Sequence, residues 1–397
     1  MGFAYSHYAW LSSRGTLGWC PNSICAVTVI GGEITFHRKG NHYLATQGGE
    51  CHNCARSMGN QKKKNNAPNR NLRAAAGAKQ DEFYTQLSDI EKELRHYAKH
   101  FNGKTVLCNC DDPKVSNFFH YFAHNFEKLK LKKLITTCYK NCDADLFSKN
   151  TSESGIYLEY DGDKNDNRIP DPDEIGIHNL KGDGDFRSQE CLDLVKQADI
   201  VVTNPPFSLF REYVAQLMAH KKKFVIIGNQ NAITYKEIFK LFKEDKIWLG
   251  ASIHSGDREF GVPEYYPLNA AGTRIDSNGN RYIRVKGVRW FTNLDYKERH
   301  EDLILYTTYR KAEYPKFDHY EAINVNRTKD IPMDYRGLMG VPLTFFDKFS
   351  PEQFEIIDGL NRYSILEGPT NKTRGKYLAQ VNGKPTYIRV VIKNKKL

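Results

Sequence analysis

The 397-residue chain has no run of 18 or more apolar residues, so no segment reads as a membrane-spanning helix. Its N-terminus lacks a charged segment followed by an apolar one, which argues against a secretion signal. Nine cysteines without such a signal point to reduced thiols in a cytoplasm, not to a disulfide framework. No internal repeat is evident, so the chain does not read as a repeat array. Between residues 51 and 80 there is no acidic residue. That stretch holds Arg56, Lys62, Lys63, Lys64, Arg70, Arg73 and Lys79 among Asn, Gly and Ala, a poor composition for a packed core. It reads as a solvated linker, with contact to nucleic-acid phosphates as the alternative.

The composition otherwise suits a globular protein, at 40% hydrophobic and 12% aromatic. A net charge of +11 favours a polyanionic partner such as nucleic acid, although many surface lysines alone give the same balance. Four segments are expected: a Cys-containing extension over 1–60, a basic linker over 61–80, an α/β domain over 81–250 and a β-rich region over 251–397. From Asp81 helices and strands alternate. Helical spacing over Glu82–Phe101 (Leu87, Ile90, Leu94, Tyr97) is followed by an apolar run at Thr105–Cys108. A helix over Phe118–Leu129 and a strand at Leu134–Thr137 come next, then a strand at Asp199–Thr203, a helix over Leu209–His220 and a strand at Phe224–Gly228. Alternation of this kind predicts a parallel sheet with helices on both faces, and ligands at the carboxyl ends of its strands. Beyond residue 250 lie 12 of the 23 tyrosines, among short alternating segments such as Tyr282–Lys286, which gives a β-rich texture.

The sharpest feature is Asn204-Pro205-Pro206-Phe207, directly after the apolar strand 199–203. Two prolines stop the strand and hold the backbone extended. A side-chain amide and a backbone carbonyl then sit together at the carboxyl edge, and both are acceptors. Together they can hold an exocyclic NH2 by its two hydrogens while Phe207 stacks on the ring. An amine so held turns its lone pair toward an electrophile. The electrophile would be a sulfonium methyl group, and its in-line transfer to nitrogen would need positioning and charge stabilisation, not a metal. A base in a duplex must first leave the stack.

Supporting motifs lie upstream. Phe83-Tyr84-Thr85 can cover a methionine moiety and an adenine ring, or form core. Asn109-Cys110-Asp111-Asp112-Pro113 follows the first strand, where Asp111 or Asp112 can bind an ammonium group or cap a helix. Asp185, in Asp183-Gly184-Asp185-Phe186, suits the cofactor adenine, the target amine or a plain turn. Cys20, Cys25, Cys51 and Cys54 offer a loose C-x4-C and C-x2-C set for structural zinc, against free cysteines in an irregular extension. The other five, Cys108, Cys110, Cys138, Cys142 and Cys191, read as buried apolar residues. Ser350-Pro351-Glu352-Gln353 reads as a capped helix start.

In this order, Asp81–Thr85, Cys110–Pro113, Tyr157–Tyr160, Asp183–Phe186, Asn204–Phe207, Val288–Leu294 and Val341–Lys348 resemble the EcoRI-type adenine-specific modification methylases, over roughly residues 80–360. The resemblance implies a Rossmann-like methyltransferase sheet, motif order as in the gamma class, and adenine in a short duplex site as substrate. It implies that Asn204 and Pro205 bind the target amine, with Pro206 and Phe207 completing the motif and Phe207 stacking on the base. Phe83, Tyr84 and Thr85 would line the S-adenosylmethionine site, with Asp111, Asp112 and Asp185 beside it. Two departures stand out. Cys-Asn-Cys-Asp-Asp-Pro replaces the glycine-rich loop usual after the first strand. No clear acidic residue ends the second strand to take the ribose hydroxyls, where Tyr139 and Asp143 are candidates by position.

For DNA recognition, residues 255–340 offer Arg258, Arg274, Arg281, Arg284, Lys286 and Arg289 among Tyr265, Tyr266, Tyr282 and Trp290. Arginines can read guanine edges and aromatics can fill the gap left by a flipped base. The expected partners are double-stranded DNA, a cognate restriction endonuclease as genetic partner and no membrane, with the enzyme acting as a monomer. Competing readings are methylation of guanine N2 in RNA, of a protein glutamine or of cytosine N4, and a decayed DNA-binding scaffold. The intact Asn204–Phe207 argues against the last.

Overall fold

The computed structural model describes residues 83–397 except 111–115, 138–154, 166–169, 171–173, 255, 263–265, 267, 269–271, 363 and 368–376, with the backbone of five earlier strands. The chain divides into two compact units, Met1–Pro68 and Asn69–Leu397. In the first, β1 (Ala9–Leu11) pairs antiparallel with β2 (Leu17–Trp19), and β3 (Cys25–Ile30), β4 (Glu33–Arg38) and β5 (Asn41–Leu44) form an antiparallel meander. The side chains of Cys20, Cys25, Cys51 and Cys54, the zinc candidates, lie outside the described residues.

The second unit begins with the two-residue strand β6 (Tyr84–Thr85) and helix α1 (Leu87–Leu94), which continues as a 3-10 turn over Arg95–His100. The helix expected from Glu82 therefore starts five residues late. Tyr84 and Thr85 pair instead with Gly261 and Phe260, a long-range ladder that local periodicity cannot reveal. There follow β7 (Thr105–Asn109), α2 (Asn117–His124), β8 (Lys133–Thr137), β9 (Ile156–Tyr160), β10 (Gly176–Asn179), α3 (Gln189–Gln197) and β11 (Ile200–Thr203). Next come α4 (Phe210–Ala219), β12 (Lys223–Asn229), α5 (Lys236–Lys243) and β13 (Trp248–Leu249). Ser116 and Ser188 cap α2 and α3 by accepting the backbone N–H of Phe119 and Cys191.

The chain then forms β14 (Asp257–Val262), β15 (Arg274–Ile275), β16 (Arg281–Lys286) and β17 (Val288–Thr292). An eight-stranded mixed sheet has the order β10-β9-β8-β7-β11-β12-β17-β13. Its four central strands, β8, β7, β11 and β12, are parallel, as the alternation predicts. β9 and β17 run antiparallel to their inner neighbours. The sequence assigns Val288–Thr292 to a recognition region, yet all five of its residues are buried within this sheet. From β7 the order leads to β8 on one side and returns to β11 on the other. The carboxyl ends of β7 and β11 thus flank the topological switch point, where such sheets open a ligand crevice.

Strict side-chain alternation gives the sheet two apolar faces. Leu107, Ile135, Val201, Phe224, Ile226 and Phe291 pack with α3, α4 and α5. Val106, Cys108, Leu134, Val202, Val225 and Trp290 pack with α1 and α2. A smaller sheet, β15-β16-β14-β6, lies on the second face through Phe260, Ile283 and Val285. A C-terminal sheet of β18 (Ile323–Asn324), β19 (Met339–Pro342), β20 (Phe354–Leu360) and β23 (Arg389–Asn394) joins the first face through Val341, Ile356 and Ile392. A hairpin of β21 (Gln380–Val381) and β22 (Lys384–Pro385) interrupts it. Ser350–Gln353 forms a turn closed by Phe354 N–H on the Ser350 carbonyl at 3.0 Å, not the expected helix start, and leads into β20.

Arg289 was expected to meet DNA, and the structure corrects this. It is 3% exposed and bidentate to Asp347 at 2.6 and 3.0 Å. Two of its other N–H groups bind the carbonyls of Val288 and His254. Trp290 is likewise core, not a filler for a vacated base. Burial pushes the Asp347 carboxyl above its ordinary range, with Arg289 opposing the shift.

Two stability predictions follow from this packing. Arg289→Leu leaves Asp347 buried and unpaired, so urea unfolding should show a loss of about 3–5 kcal/mol, against less than about 0.5 kcal/mol for the exposed Arg284→Ala. Gly228 sits under the Phe210 ring, which a Cβ would strike. Gly228→Ala should therefore cost about 1–3 kcal/mol by pushing Phe210 and the start of α4 off the sheet, and an unchanged unfolding midpoint would refute this.

Candidate active site

Asn204 follows β11 directly at the carboxyl edge and is 5% exposed. Its Nδ2 donates to the Phe83 carbonyl at 2.6 Å. A carbonyl accepts and cannot donate, so this bond fixes the amide orientation and leaves Oδ1 as the acceptor. Among the described residues, Oδ1 is buried with no hydrogen-bond partner. Pro205 and Pro206 carry the chain into a 3-10 turn, Phe207–Leu209, closed by Leu209 N–H on the Pro206 carbonyl at 3.0 Å. Phe207 is half-buried, with its ring edge-on to Phe83 at 5.8 Å.

Phe83, Tyr84 and Thr85 lie beside this loop because β6 pairs with β14. Asn117, at the start of α2, adds a hydrogen bond to the Thr85 carbonyl at 2.7 Å. The Phe83 ring also meets Phe260 at 5.9 Å and Tyr266 at 6.1 Å, forming an aromatic cluster. Thr85 Oγ1 is a second buried polar atom without a partner among the described residues.

On the other side of the switch point, β7 ends in Asn109, which is 2% exposed. The next residue, Cys110, has φ of 71°. Glycine adopts that left-handed backbone without strain, whereas a side chain pays for it. The usual glycine has gone, but the turn it favours persists. Asn109 escapes sequence reasoning because attention falls on the charged pair after it. Asp111 and Asp112 themselves lie outside the described residues. Glu93 is also missed by the sequence reading. Its buried carboxylate accepts from Tyr97 OH and from the N–H groups of Ala251 and Ser252 at 2.7–2.8 Å, holding the loop after β13 at the same edge.

The other expected residues divide. Asp185 is bidentate to Arg187 at 2.9 and 2.6 Å, and it caps the turn before α3. Arg281 faces inward and donates to the Tyr266 carbonyl at 3.1 Å, beside the aromatic cluster. Arg258 lies 3.8 Å from Asp89. Arg284 and Lys286 point outward from β16 and are exposed, with Arg274 beside them stacked on Tyr282 at 4.2 Å. Two clefts of about 370 and 420 Å³ open at the opposite edge of the sheet, lined by Lys221, Lys222 and Lys223. None of the buried, unpartnered polar atoms belongs to their lining, so we place the candidate site at the switch point instead.

The site's chemistry can be tested against S-adenosylmethionine. That molecule carries an adenine, ribose hydroxyls, an ammonium and a carboxylate. The switch point offers aromatic rings together with a spare amide oxygen, a spare hydroxyl and, on Asn109, a spare amide N–H. Orphaned buried polar atoms are costly, and their clustering here fits a polar ligand. Among the described residues no group of His, Cys, Asp or Glu could hold a metal ion, and no helix is long and apolar enough to cross a membrane.

Comparison with known proteins agrees with this chemistry. The family model described as adenine-specific methyltransferase EcoRI matches residues 71–395. The chain is 52% identical to the type II methyltransferase M.EcoRI of Escherichia coli, covering 84% of this chain and 98% of that protein. It is 41% identical to M.MgeORF184P of Mycoplasma genitalium and 40% identical to M.MpnI of Mycoplasma pneumoniae, both named type II methyltransferases, covering 81% of this chain each and 98% and 97% of those proteins. No solved structure matches the chain. The chain belongs to the EcoRI family of adenine-specific methyltransferases.

Proposed function

We propose that this enzyme methylates the N6 amine of a flipped-out adenine at a specific duplex DNA site, with Asn204 as the residue that holds the amine. The observation that carries this reading is the Asn204 amide, oriented by the Phe83 carbonyl so that a buried, unpartnered oxygen remains. That oxygen accepts one N6 hydrogen and the Pro205 carbonyl accepts the other. Pro206 fixes the turn, and Phe207 stacks on the purine, a contact of about 1–3 kcal/mol. Withdrawing both hydrogens from the ring plane exposes the nitrogen lone pair. As positive charge develops on nitrogen, both acceptors strengthen, which is transition-state stabilisation rather than uniform binding.

S-adenosylmethionine, when bound, supplies the electrophilic methyl group. Phe83, Tyr84 and Thr85 line its site, with Asp111, Asp112 and Asp185 beside it. Duplex DNA lies against the outward face of the small sheet, where Arg284 and Lys286 meet phosphates. Arg258 and Arg281, turned inward, act nearer the flipped base or support the sheet. Residues 251–397, apart from the main-sheet strand Val288–Thr292, serve target recognition, with a cognate endonuclease as genetic partner and the enzyme acting as a monomer.

The test uses purified protein, labelled S-adenosylmethionine and unmethylated duplex DNA, with digested nucleosides identified by mass spectrometry. N6-methyladenine at one short motif is expected. Asn204→Ala should lower kcat by at least about 100-fold while leaving affinity for S-adenosylhomocysteine within a few-fold. Label in RNA or protein, or full activity in Asn204→Ala, would overturn the reading. The DNA face is tested separately. Removing a phosphate contact by Arg284→Ala or Lys286→Ala should reduce the slope of log binding constant against log salt by about 0.9 each, and an unchanged slope would remove those residues from the DNA face.

A further inference from the structure

Asn109 holds both ends of the Asn204–Phe207 loop. Thr203, the residue before the loop, donates its hydroxyl to the Asn109 carbonyl. Tyr213, on the helix that leaves the loop, donates its hydroxyl to Asn109 Oδ1. Burial pushes the Tyr213 phenol well above its ordinary value, so it keeps a proton to donate. With Oδ1 accepting, Nδ2 must present the two amide hydrogens. Among the described residues, this buried Nδ2 has no partner.

A packing role alone accounts for Oδ1 and the carbonyl but not for this spare donor. A buried unmade hydrogen bond costs about 1–3 kcal/mol, and a leucine or threonine would avoid most of it. Asn109 ends the strand on one side of the switch point, and Asn204 follows the strand on the other. Its position, burial and unused donor all face the same requirement, an oxygen acceptor brought by a ligand.

We propose that Asn109 is a positioning residue for methyl transfer, which donates its free amide hydrogen to an oxygen of the bound cofactor while gripping both ends of the catalytic loop. This rests on the switch point being the S-adenosylmethionine site. Donor and electrophile are thereby registered through one side chain. The loop that holds the amine moves with the residue that holds the cofactor. The cofactor's acceptors are its carboxylate and its ribose hydroxyls, and both present the same oxygen chemistry to an amide N–H.

The experiment is calorimetric titration of the full-length protein with S-adenosylhomocysteine and with 5′-methylthioadenosine, which keeps the ribose but lacks the carboxylate. Asn109→Asp keeps an acceptor for Tyr213 but removes the spare donor. It should weaken S-adenosylhomocysteine binding by about 10- to 100-fold. If 5′-methylthioadenosine binding is spared, the partner is the carboxylate, and if it falls equally, the partner is a ribose hydroxyl. Tyr213→Phe keeps the donor and loosens the loop, so it should keep S-adenosylhomocysteine affinity within about threefold and lower kcat. Wild-type affinity in Asn109→Asp would overturn the proposal, as would equal loss in Tyr213→Phe, which would mark a purely structural role. Should Asn109→Asp fail to fold, Asn109→Ala carries the same binding prediction. Absence of binding in the wild type would instead defeat the underlying cofactor reading.

Discussion

The hydrogen bond from Asn204 Nδ2 to the Phe83 carbonyl is the constraint on which the site depends. It joins two sheets: Asn204 directly follows a strand of the main sheet, and Phe83 leads into the edge strand of the small one. The bond decides which end of the amide is free, and so which chemistry the loop can perform. An Asn204 turned the other way would present two donors to an amine that also donates. The orientation in turn depends on β6 staying in place, held by β14 and by Asn117. The strand that carries the exposed Arg284 and Lys286 is therefore linked to the Asn204 amide through β14, β6 and the Phe83 carbonyl.

Stability and function trade against each other at the carboxyl edge. Elsewhere Glu93 uses its buried carboxylate on three donors, and Arg289 and Asp347 neutralise each other, although Trp290 Nε1 and Thr136 Oγ1 are also buried without a partner among the described residues. At the switch point, Asn204 Oδ1, Asn109 Nδ2 and Thr85 Oγ1 remain buried and unmatched. Buried groups left unmatched call for an explanation, and completion by a ligand is one. The left-handed Cys110 adds local strain at the same place.

Much of this was legible in the sequence. The four central parallel strands follow from short apolar runs separated by helical periodicity, and the Asn-Pro-Pro-Phe motif falls directly after one of them, at the carboxyl edge of the sheet. What escaped is what depends on distant pairing. Tyr84 and Thr85 look helical in local context and become a strand only because Phe260 and Gly261 accept them. Arg289 looks like one more cation among tyrosines, and only the fold shows Asp347, 58 residues away, waiting for it. Asn109 carries no charge and only opens a motif whose carboxylates dominate it, and its two contacts appear only once Thr203 and Tyr213 converge on it.

The central claim concerns one oxygen atom, so the most direct measurement is the structure of the enzyme with S-adenosylhomocysteine and a duplex containing its site. The account predicts an adenine outside the stack, with its N6 at about 2.7–3.2 Å from both Asn204 Oδ1 and the Pro205 carbonyl, and Nδ2 still on Phe83. An extrahelical adenine whose amine meets other groups, or an Asn204 amide that reverses to leave Phe83, would contradict it.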